Sequence, residues 1–487
     1  MNCTRRTLIG SALAGLGALT VSPAHAWLSG PAGRETYCDV LVIGSGLSGI
    51  AAALAAQEKG ARVLLIDKAK KAFRGGNSRV CLGSFLMPEN DSEDARKAFV
   101  EDVSKKSLGG GRLDLYNVLA DNILDAVTWA EARGGRFEPW LQQKPWRVGV
   151  RIASPGQYKG MPKLLEALHS HFEKASGEAR YDTKARMLLL DNQGAVVGCR
   201  VSSESGLEDI RAKAVVLASG GYSANRAMLE EAHPGGASIL IRGNKWITGD
   251  GIALAREIGA GVRGMAGVES LHLPVVYNGP SGRGSPTRAL PFCLGINKEG
   301  MRFVDESLGY ASFGKAVLRQ SGQTASLVFD ETLLRTEKRI GMSIELFKRA
   351  GGGLIEAENV SDLAAKLGVS AAVLRKTLEE FNAAVRPDGT APDAVPAKSQ
   401  LAVKLNLEGK LYAFTDLTPS ITMVYGGLLI DKDARVLEDD GRVIRGLFAA
   451  GETVNLYYHD YHGGGILSQC LVFGRIAGHN AAELAAL

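Results

Sequence analysis

Three glycines and an aspartate near the beginning of the sequence have types and spacing that suit a dinucleotide site. Gly44, Gly46 and Gly49 follow one another at G-x-G-x-x-G spacing, and Asp67 comes about 20 residues later. In such a turn the first glycine permits a sharp bend, the second lets the backbone approach a pyrophosphate, and the third lets a helix pack closely on a strand. The carboxylate binds a ribose hydroxyl. The pattern predicts a dinucleotide site, and the alternative is a glycine-rich turn in another doubly wound sheet.

The segments around these glycines predict the strands and the helix that would hold them. Val40–Ile43 is uniformly apolar, as expected for a strand that is buried on both faces. Ile50–Gln57 is rich in Ala and Leu and predicts a helix, whose N-terminus would face the phosphates. Arg62–Ile66 predicts a second strand, which ends at Asp67.

Later segments return to the same pattern after a long interruption. Apolar runs that end in glycines recur at Ala214–Gly221 and Leu447–Glu452, and Leu471–Leu487 predicts a closing helix. Asp191–Gly194 predicts the turn of a hairpin. Between about residues 274 and 418 the pattern changes to glycine-rich loops followed by helical segments. We therefore predict a nucleotide-binding domain that is interrupted by an inserted domain.

Length and composition exclude some classes of partner. The 487 residues, 45% of them hydrophobic and with a mean hydropathy near zero, suffice for two or three globular domains. The net charge of +5 is too small to favour nucleic acid. No cysteines have the spacing C-x-x-C or C-x-x-C-H, so neither an iron–sulfur cluster nor a covalent haem is predicted in this chain. His459 and His462 lie in a glycine-rich loop with no third ligand nearby in sequence, so no metal site is predicted.

The first 26 residues have the pattern of an export signal. Arg5 and Arg6 precede a short uncharged segment, residues 10–21, and an A-x-A cleavage site at Ala24–Ala26. We expect a signal peptide over residues 1–26, recognition by the twin-arginine translocase and a periplasmic location. The alternative is an uncleaved membrane anchor, for which the apolar segment is short.

The first glycine turn and four further motifs together resemble the FAD-containing succinate dehydrogenase/fumarate reductase flavoprotein superfamily. The further motifs are Gly75–Ser78, Ala218–Gly221, Ala449–Glu452 and Phe473–Gly478. The resemblance implies an α/β fold, in which a Rossmann-like FAD-binding domain of the glutathione-reductase type is interrupted by an inserted α+β capping domain. The corresponding boundaries are 35–272 and 419–487 for the two parts of the FAD-binding domain and 273–418 for the capping domain.

The same resemblance implies FAD rather than NAD as the cofactor. We expect the FAD to be bound non-covalently, because Arg74–Ser78 lacks the histidine that covalently flavinylated relatives carry near this turn. The FAD-binding positions of the family match the following residues of this chain: Gly44, Gly46, Leu47, Ser48, Gly49, Asp67, Lys68, Gly75, Gly76, Asn77, Ser78, Ser219, Gly220, Gly221, Asp250, Gly451, Glu452, Gly465, Leu467 and Ser468.

Within the superfamily, Phe73–Arg79 and Pro419–Leu428 look most like the tricarballylate dehydrogenase branch. This chain departs from fumarate reductase at three positions that handle the substrate in that family. Tyr310 stands where the family's arginine proton donor is expected, Met423 replaces a substrate-binding histidine, and Tyr461 replaces a carboxylate-binding arginine. Reduction of a C4 dicarboxylate is therefore not expected.

At two other positions this chain matches, or lies close to, a residue that handles substrate or protons in the family. His272 matches the first substrate-binding histidine, and Arg288 lies near the proton-relay arginine. Arg302, in the segment that approaches Tyr310, is expected to form an ion pair inside the capping domain with Glu306 rather than to meet substrate.

The two tyrosines also resemble those of the 3-oxosteroid dehydrogenases of this superfamily. That local likeness implies that Tyr310 is the acid/base, and that the Tyr461 hydroxyl and the Gly465 N–H hold the oxygen that activates the substrate. Because a free tyrosine has a pKa of about 10, Tyr310 needs a neighbouring cation or dipole to act as a base, and Arg288 and Lys315 are candidates. The alternative is that both tyrosines are ordinary rim residues with satisfied hydroxyls.

These observations predict an exported FAD-dependent oxidoreductase, either a dehydrogenase or an ene-reductase. Its substrate would be a small acid or ketone with a C–C or C=C bond beside the carboxylate or carbonyl. Dehydrogenation is favoured, because the branch resembled is a dehydrogenase, and electrons would pass through a separate cytochrome or quinone-linked carrier. The alternatives are a 3-oxosteroid-type dehydrogenase, an FAD oxidase, and a flavoprotein electron-transfer subunit without a catalytic site of its own.

Overall fold

The computed structural model describes residues 33–139, 147–156, 159–267, 271–272, 285–460 and 463–487, and only the backbone of residues 271–272. The strands are β1 (Glu35–Ile43), β2 (Val63–Ile66), β3 (Ser84–Met87), β4 (Phe137–Pro139), β5 (Gly149–Ala153), β6 (Glu178–Arg180), β7 (Lys184–Leu190), β8 (Val196–Ser203), β9 (Gly206–Leu217), β10 (Leu240–Ile241), β11 (Val262–Arg263), β12 (Leu271–His272), β13 (Leu294–Ile296), β14 (Ala325–Asp330), β15 (Leu354–Ala357), β16 (Leu411–Leu417), β17 (Ser420–Ile421), β18 (Gly427–Leu428), β19 (Arg435–Leu437) and β20 (Val443–Ala449). The helices are α1 (Leu47–Glu58), α2 (Glu93–Lys106), α3 (Leu113–Glu131), α4 (Gly160–Lys174), α5 (Arg226–Ala232), α6 (Asp250–Arg256), α7 (Tyr310–Leu318), α8 (Glu331–Thr336), α9 (Lys338–Arg349), α10 (Val360–Leu367), α11 (Ala371–Ala384) and α12 (Gly465–Ala486).

The first glycine turn follows the central strand of the largest described sheet. β1 lies between β2 and β9 and runs parallel to both, while β20 and β6 extend the parallel part of the sheet on either side. Val40, Leu41 and Val42 have no exposed surface, as predicted for a strand that is buried on both faces. The predicted mixed α/β fold with a parallel sheet is confirmed.

An antiparallel extension continues this sheet from β9. β7 and β8 form the predicted hairpin, and β8 pairs with the first half of β9. The second half of β9 pairs with β1 and β20, so one long strand joins the hairpin to the parallel strands.

Helices α1 and α12 pack against each other through glycines. A Cβ atom at Gly474 would lie 2.5 Å from the Ser48 carbonyl oxygen, and one at Gly478 would lie 2.0 Å from that of Ala52. The helices can therefore approach this closely only without side chains at these two positions. The prediction that the closing helix begins at Leu471 was wrong, because α12 already begins at Gly465.

A second hydrophobic core is formed by residues between Ala289 and Leu417. Its sheet has the order β13-β14-β16-β15 and is antiparallel throughout. The helices α7 to α11 belong to the same stretch of chain, so we refer to residues 289–417 as the second unit. No helix in the described part of the chain is long and apolar enough to cross a membrane.

Candidate active site

The three glycines of the first turn meet different surroundings. A Cβ atom at Gly44, whose φ is +112°, would lie 2.3 Å from the Ala218 carbonyl oxygen, and one at Gly49 would lie 1.8 Å from that of Gly44. A Cβ atom at Gly46 would meet no described atom closer than the Gly75 carbonyl oxygen, at 3.8 Å. The protein itself therefore requires the first and third glycines, whereas the second leaves space for a Cβ atom, at ordinary van der Waals distance from its neighbours, beside the N-terminus of α1.

This space suits the pyrophosphate of a dinucleotide. Gly46 is the N-cap of α1 and supplies no side-chain bond to the helix, whose first turn carries no acidic residue. The N-terminus of a helix carries free N–H groups and the positive end of the helix dipole, both of which favour phosphate. The residues present therefore fit the dinucleotide that the spacing predicts.

Asp67 is bound to the glycine turn itself. Its carboxylate accepts hydrogen bonds from the Ser45 N–H at 2.9 Å, the Ser45 hydroxyl at 2.5 Å and the Ala69 N–H at 2.7 Å. The Ser45 Oγ in turn accepts a hydrogen bond from the Gly75 N–H at 3.2 Å. Asp67 thus fixes the first turn against the second. Because both Ser45 donors bind Oδ2 and Ala69 binds Oδ1, it is Oδ1 that keeps a lone pair for a ribose hydroxyl.

A histidine that sequence reasoning missed supports the same turn. His169 in α4 has no exposed surface, and its Nε2 lies 3.1 Å from the Ser45 carbonyl oxygen. Its Nδ1 has no hydrogen-bond partner among the described residues. Burial lowers the pKa of His169 to about 4, so the ring is neutral at neutral pH. It donates from Nε2, and no sequence signal distinguishes it from any other residue on the buried face of α4.

The second glycine turn is joined to the last segment of the chain by Asn77. Its Nδ2 donates to the Thr422 carbonyl oxygen at 2.6 Å and to Glu452 Oε2 at 3.2 Å, and its Oδ1 accepts from the Asn244 N–H at 2.8 Å. The neighbouring Ser78 Oγ accepts a hydrogen bond from the Leu47 N–H at 3.3 Å. One amide side chain therefore connects segments that are more than 300 residues apart.

Glu452 is a buried acid in this network. Its Oε1 accepts from the Val424 N–H at 3.0 Å, and a Cβ atom at Gly221 would lie only 2.7 Å from the same oxygen. Burial raises the pKa of Glu452 to about 7. The carboxyl group is therefore partly protonated at neutral pH.

Four further predicted FAD residues are also held by contacts within the protein. Lys68 forms an ion pair with Asp250 at 2.6 Å, and Ser219 Oγ accepts from the Gly251 N–H at 3.1 Å. Ser468, in the first turn of α12, is fully buried and donates to the Leu86 carbonyl oxygen at 2.6 Å. These contacts connect the predicted residues with neighbouring segments of the protein.

The residues predicted to act on substrate lie on three elements. Tyr310 is the first residue of α7, where it is half-buried and packs against the second core. α7 contacts β12, which carries His272, and β12 pairs with β17. Arg288 is exposed among the described residues. Tyr461 lies outside the described residues.

Lys315 connects α7 to the segment that precedes Tyr461. Its Nζ donates a hydrogen bond to the His459 carbonyl oxygen, and six residues later Gly465 begins α12. The elements that carry Tyr310, His272 and Gly465 are therefore neighbours. Sequence reasoning named Lys315 as a candidate cation but could not predict its partner.

The predicted ion pair of Arg302 is confirmed. Its Nε lies 2.9 Å and its Nη2 3.0 Å from the two carboxylate oxygens of Glu306, and both side chains are buried. Arg302 is thus engaged inside the second unit.

Comparison with known proteins identifies the family. A model of the FAD binding domain matches residues 39–467. The chain is 31% identical to a probable fumarate reductase, Ifc3, of Shewanella frigidimarina and 31% identical to a urocanate reductase of Eggerthella lenta. Each match covers 93% of this chain and 76% of the relative.

Solved structures share the fold. The open conformation of a flavocytochrome c3 fumarate reductase has a TM-score of 0.74 at 30% identity, over 93% of this chain and 79% of that one. A 3-ketosteroid-Δ4-(5α)-dehydrogenase of Rhodococcus jostii also has a TM-score of 0.74, at 23% identity, over 94% and 99% of the two chains. The second likeness concerns the fold alone. The chain therefore belongs to the FAD-binding family of the succinate dehydrogenase/fumarate reductase flavoprotein superfamily, and it is an FAD-dependent oxidoreductase that acts on CH–CH groups.

Proposed function

We propose that this protein reduces the C=C bond of a conjugated acid or ketone other than fumarate, with Tyr310 as the proton donor. Bound FAD supplies the hydride chemistry. The observation that carries the proposal is the adjacency of α7, which begins with Tyr310, to β12 and, through Lys315, to the segment that leads to Gly465. These are the elements on which the acid/base, His272 and the oxygen-binding pair are predicted.

Tyr310 has a position that suits proton transfer. As the first residue of α7 it lies at the positive end of the helix dipole, which favours negative charge. The tyrosine would hold the transferred proton on its hydroxyl oxygen and deliver it to the substrate carbon that does not receive the hydride. Reversal of the same steps would make Tyr310 the base in a dehydrogenation.

Gly465 is suited to hold the activating oxygen of the substrate. It is the first residue of α12, and the first N–H groups of a helix have no partner within the helix. Gly464 precedes it with a φ of +106° and adds no side-chain cap. We propose that the Tyr461 hydroxyl and the Gly465 N–H bind one carbonyl or carboxylate oxygen and stabilise the charge that develops on it.

The surroundings argue against fumarate as the substrate. Met423, in the place of a substrate-binding histidine, is buried, as is Tyr425 two residues later. A thioether cannot hold a second carboxylate. The relatives are named for reduction of fumarate, urocanate and acrylate, so we favour reduction over the dehydrogenation expected from the sequence.

A 3-ketosteroid is the second candidate substrate. It is favoured by the four-residue spacing of Tyr461 and Gly465, which resembles that of the 3-oxosteroid dehydrogenases. Residues 289–417 would cap the site in either case. We further propose that electrons arrive through a separate cytochrome or quinone-linked carrier, since two relatives are named as cytochrome-dependent fumarate reductases.

An anaerobic reoxidation assay tests this function. The FAD-loaded protein is reduced with dithionite, and the flavin absorbance is followed after addition of fumarate, urocanate, acrylate, a cinnamate or 4-androstene-3,17-dione. We expect reoxidation by a conjugated acid other than fumarate. Reoxidation by the steroid alone would favour the second candidate, and rapid reoxidation by oxygen with release of peroxide would favour an oxidase.

Substitution of the two tyrosines tests their roles with the substrate that the panel identifies. Tyr310→Phe should lower kcat by about 100-fold or more, because general acid catalysis contributes about 10² to 10⁴. Tyr461→Phe should lower kcat/KM by a similar factor, because one oxygen-binding donor is lost. Tyr37→Phe, an exposed tyrosine on β1, is the control and should leave turnover unchanged. Unchanged turnover in the first two variants would remove the catalytic roles assigned to both tyrosines.

A further inference from the structure

The turn that precedes Tyr461 has an unfavourable backbone conformation. His459 has a φ of +58°, a backbone conformation that residues other than glycine rarely adopt. The Asp460 N–H donates to the Tyr458 carbonyl oxygen at 2.6 Å, so the chain reverses within three residues. Such a conformation persists only where the surrounding structure holds it.

Contacts from two parts of the molecule meet at this turn. Lys315 in α7 donates to the His459 carbonyl oxygen. At the end of α2, Lys106 forms an ion pair with Asp460 at 3.1 Å and the Ser107 hydroxyl donates to the Asp460 carbonyl oxygen at 3.3 Å. The contacts at Asp460 come from the unit that carries the glycine turns, whereas the contact of Lys315 comes from the second unit.

We propose that Lys315 is a positioning residue that fixes the helix beginning at Tyr310 against the segment leading to Tyr461 and Gly465. Through this contact, residues 289–417 help to hold the turn at His459. The inference rests on the proposed function, in which the two tyrosines act on one substrate. Lys315 itself transfers no proton.

The surroundings of Lys315 make the contact dependent on pH. The ammonium group is half-buried, and burial lowers the pKa of Lys315 to about 8. Among the groups around it, Asp460 raises this pKa, whereas Arg319 of the same helix and Lys106 of α2 lower it. His459 lies in the turn itself, and His272 is on β12, which also packs against α7.

The direction of the effect follows from the charge. A hydrogen bond from an ammonium group to a carbonyl is charge-assisted and stronger than one from a neutral amine. The contact is therefore strong below about pH 8 and weakens as the pH rises through that value. An arginine at position 315 would keep its charge throughout this range.

Hydrogen exchange on the FAD-loaded protein tests the contact without any substrate. We compare the native protein with Lys315→Met and Lys315→Arg, and use Lys348→Met, a change at an exposed lysine of α9, as the control. Lys315→Met should raise exchange in a peptide covering residues 457–464 several-fold at pH 7, whereas Lys315→Arg and the control should leave it unchanged. Equal exchange in Lys315→Met and the native protein would overturn the proposal.

Turnover separates positioning from a purely structural role. With the substrate identified by the reoxidation panel, Lys315→Met should lower kcat by roughly 10- to 100-fold, because a small misplacement of reacting groups greatly lowers the rate of the chemical step. The native protein should lose activity above about pH 8, Lys315→Arg should shift this loss to higher pH, and Lys315→Met should lack it. The same loss near pH 8 in all three proteins would overturn the proposal. If no compound in the panel is turned over, the proposed function fails, and the exchange experiment alone decides the role of Lys315.

Discussion

At the scale of single residues, the buried network around Glu306 shows how charge is accommodated inside the second unit. Glu306 has no exposed surface and accepts a hydrogen bond from the Gly295 N–H at 2.8 Å. Two cations meet its carboxylate, Arg302 at 2.9 Å and Lys398 at 3.3 Å. The network lies immediately before α7, so it fixes the chain that leads to Tyr310.

Replacement of the Glu306 carboxylate by a neutral group should destabilise the folded protein. Glu306→Gln leaves two buried cations without a counter-charge, and we expect the free energy of unfolding in urea to fall by about 3–5 kcal/mol. Glu379→Gln is the matched control, because it removes one partner of an exposed ion pair, with Arg375, on α11. That change should cost less than about 1 kcal/mol. Equal losses in the two variants would show that the Glu306 network contributes no more than a surface pair.

Single residues also show where sequence reasoning succeeds. The ion pair of Arg302 and Glu306 could be predicted, because its partners are four residues apart. The contact of His169 with Ser45 could not, because 124 residues separate them and only the packing of α4 brings them together. The contact of Lys315 with His459 was missed for the same reason, since 144 residues lie between them.

At the scale of elements, the strand, turn and helix from β1 to α1 form the best predicted part of the site. Apolar residues, glycines and alanines specify them locally, and the structure confirms the strand and the helix. The start of α12 was mispredicted because Gly464 and Gly465 have poor helix propensity. Tertiary packing decides it instead, since Ser468 is bound to the carbonyl of Leu86 in β3.

The first turn allows cofactor binding to be separated from folding. In Gly46→Ala the new methyl group would meet described atoms only at 3.8 Å or beyond, and Gly46 has an ordinary φ of −65°. The free energy of unfolding of the FAD-free protein should therefore change by less than about 1 kcal/mol. The methyl group fills the space beside the N-terminus of α1, so we expect FAD to bind at least about tenfold more weakly in a fluorescence titration.

Gly44→Ala provides the comparison for this experiment. Its methyl group would lie 2.3 Å from the Ala218 carbonyl oxygen, and the φ of +112° disfavours any side chain. This variant should lose stability even without FAD. If Gly46→Ala instead binds FAD as tightly as the native protein, the space beside α1 is not where the pyrophosphate lies.

At the scale of the whole molecule, the site is assembled from segments that span nearly the entire chain. The glycine turn near residue 46, Asn77 and Glu452 meet only when β1, β9 and β20 are side by side. Such pairings join residues that are hundreds of positions apart, so local sequence does not specify them. The strand pairings of the second core also join distant segments of the chain. It follows that FAD can bind in full only after the chain has folded.

This assembly gives a physical reason for the export route that the first residues predict. A twin-arginine route carries folded proteins, so FAD can be loaded in the cytoplasm before export. In Arg5→Lys together with Arg6→Lys the paired guanidinium groups are replaced by point charges of the same sign. We expect the double variant to remain in the cytoplasm with a full complement of FAD, while the native protein accumulates in the periplasm. Cell fractionation gives the location of each protein, and flavin fluorescence gives its FAD content. Arg34→Lys, a change beyond the predicted signal, is the control and should be exported normally. Periplasmic accumulation of the double variant would exclude the paired arginines as the export signal.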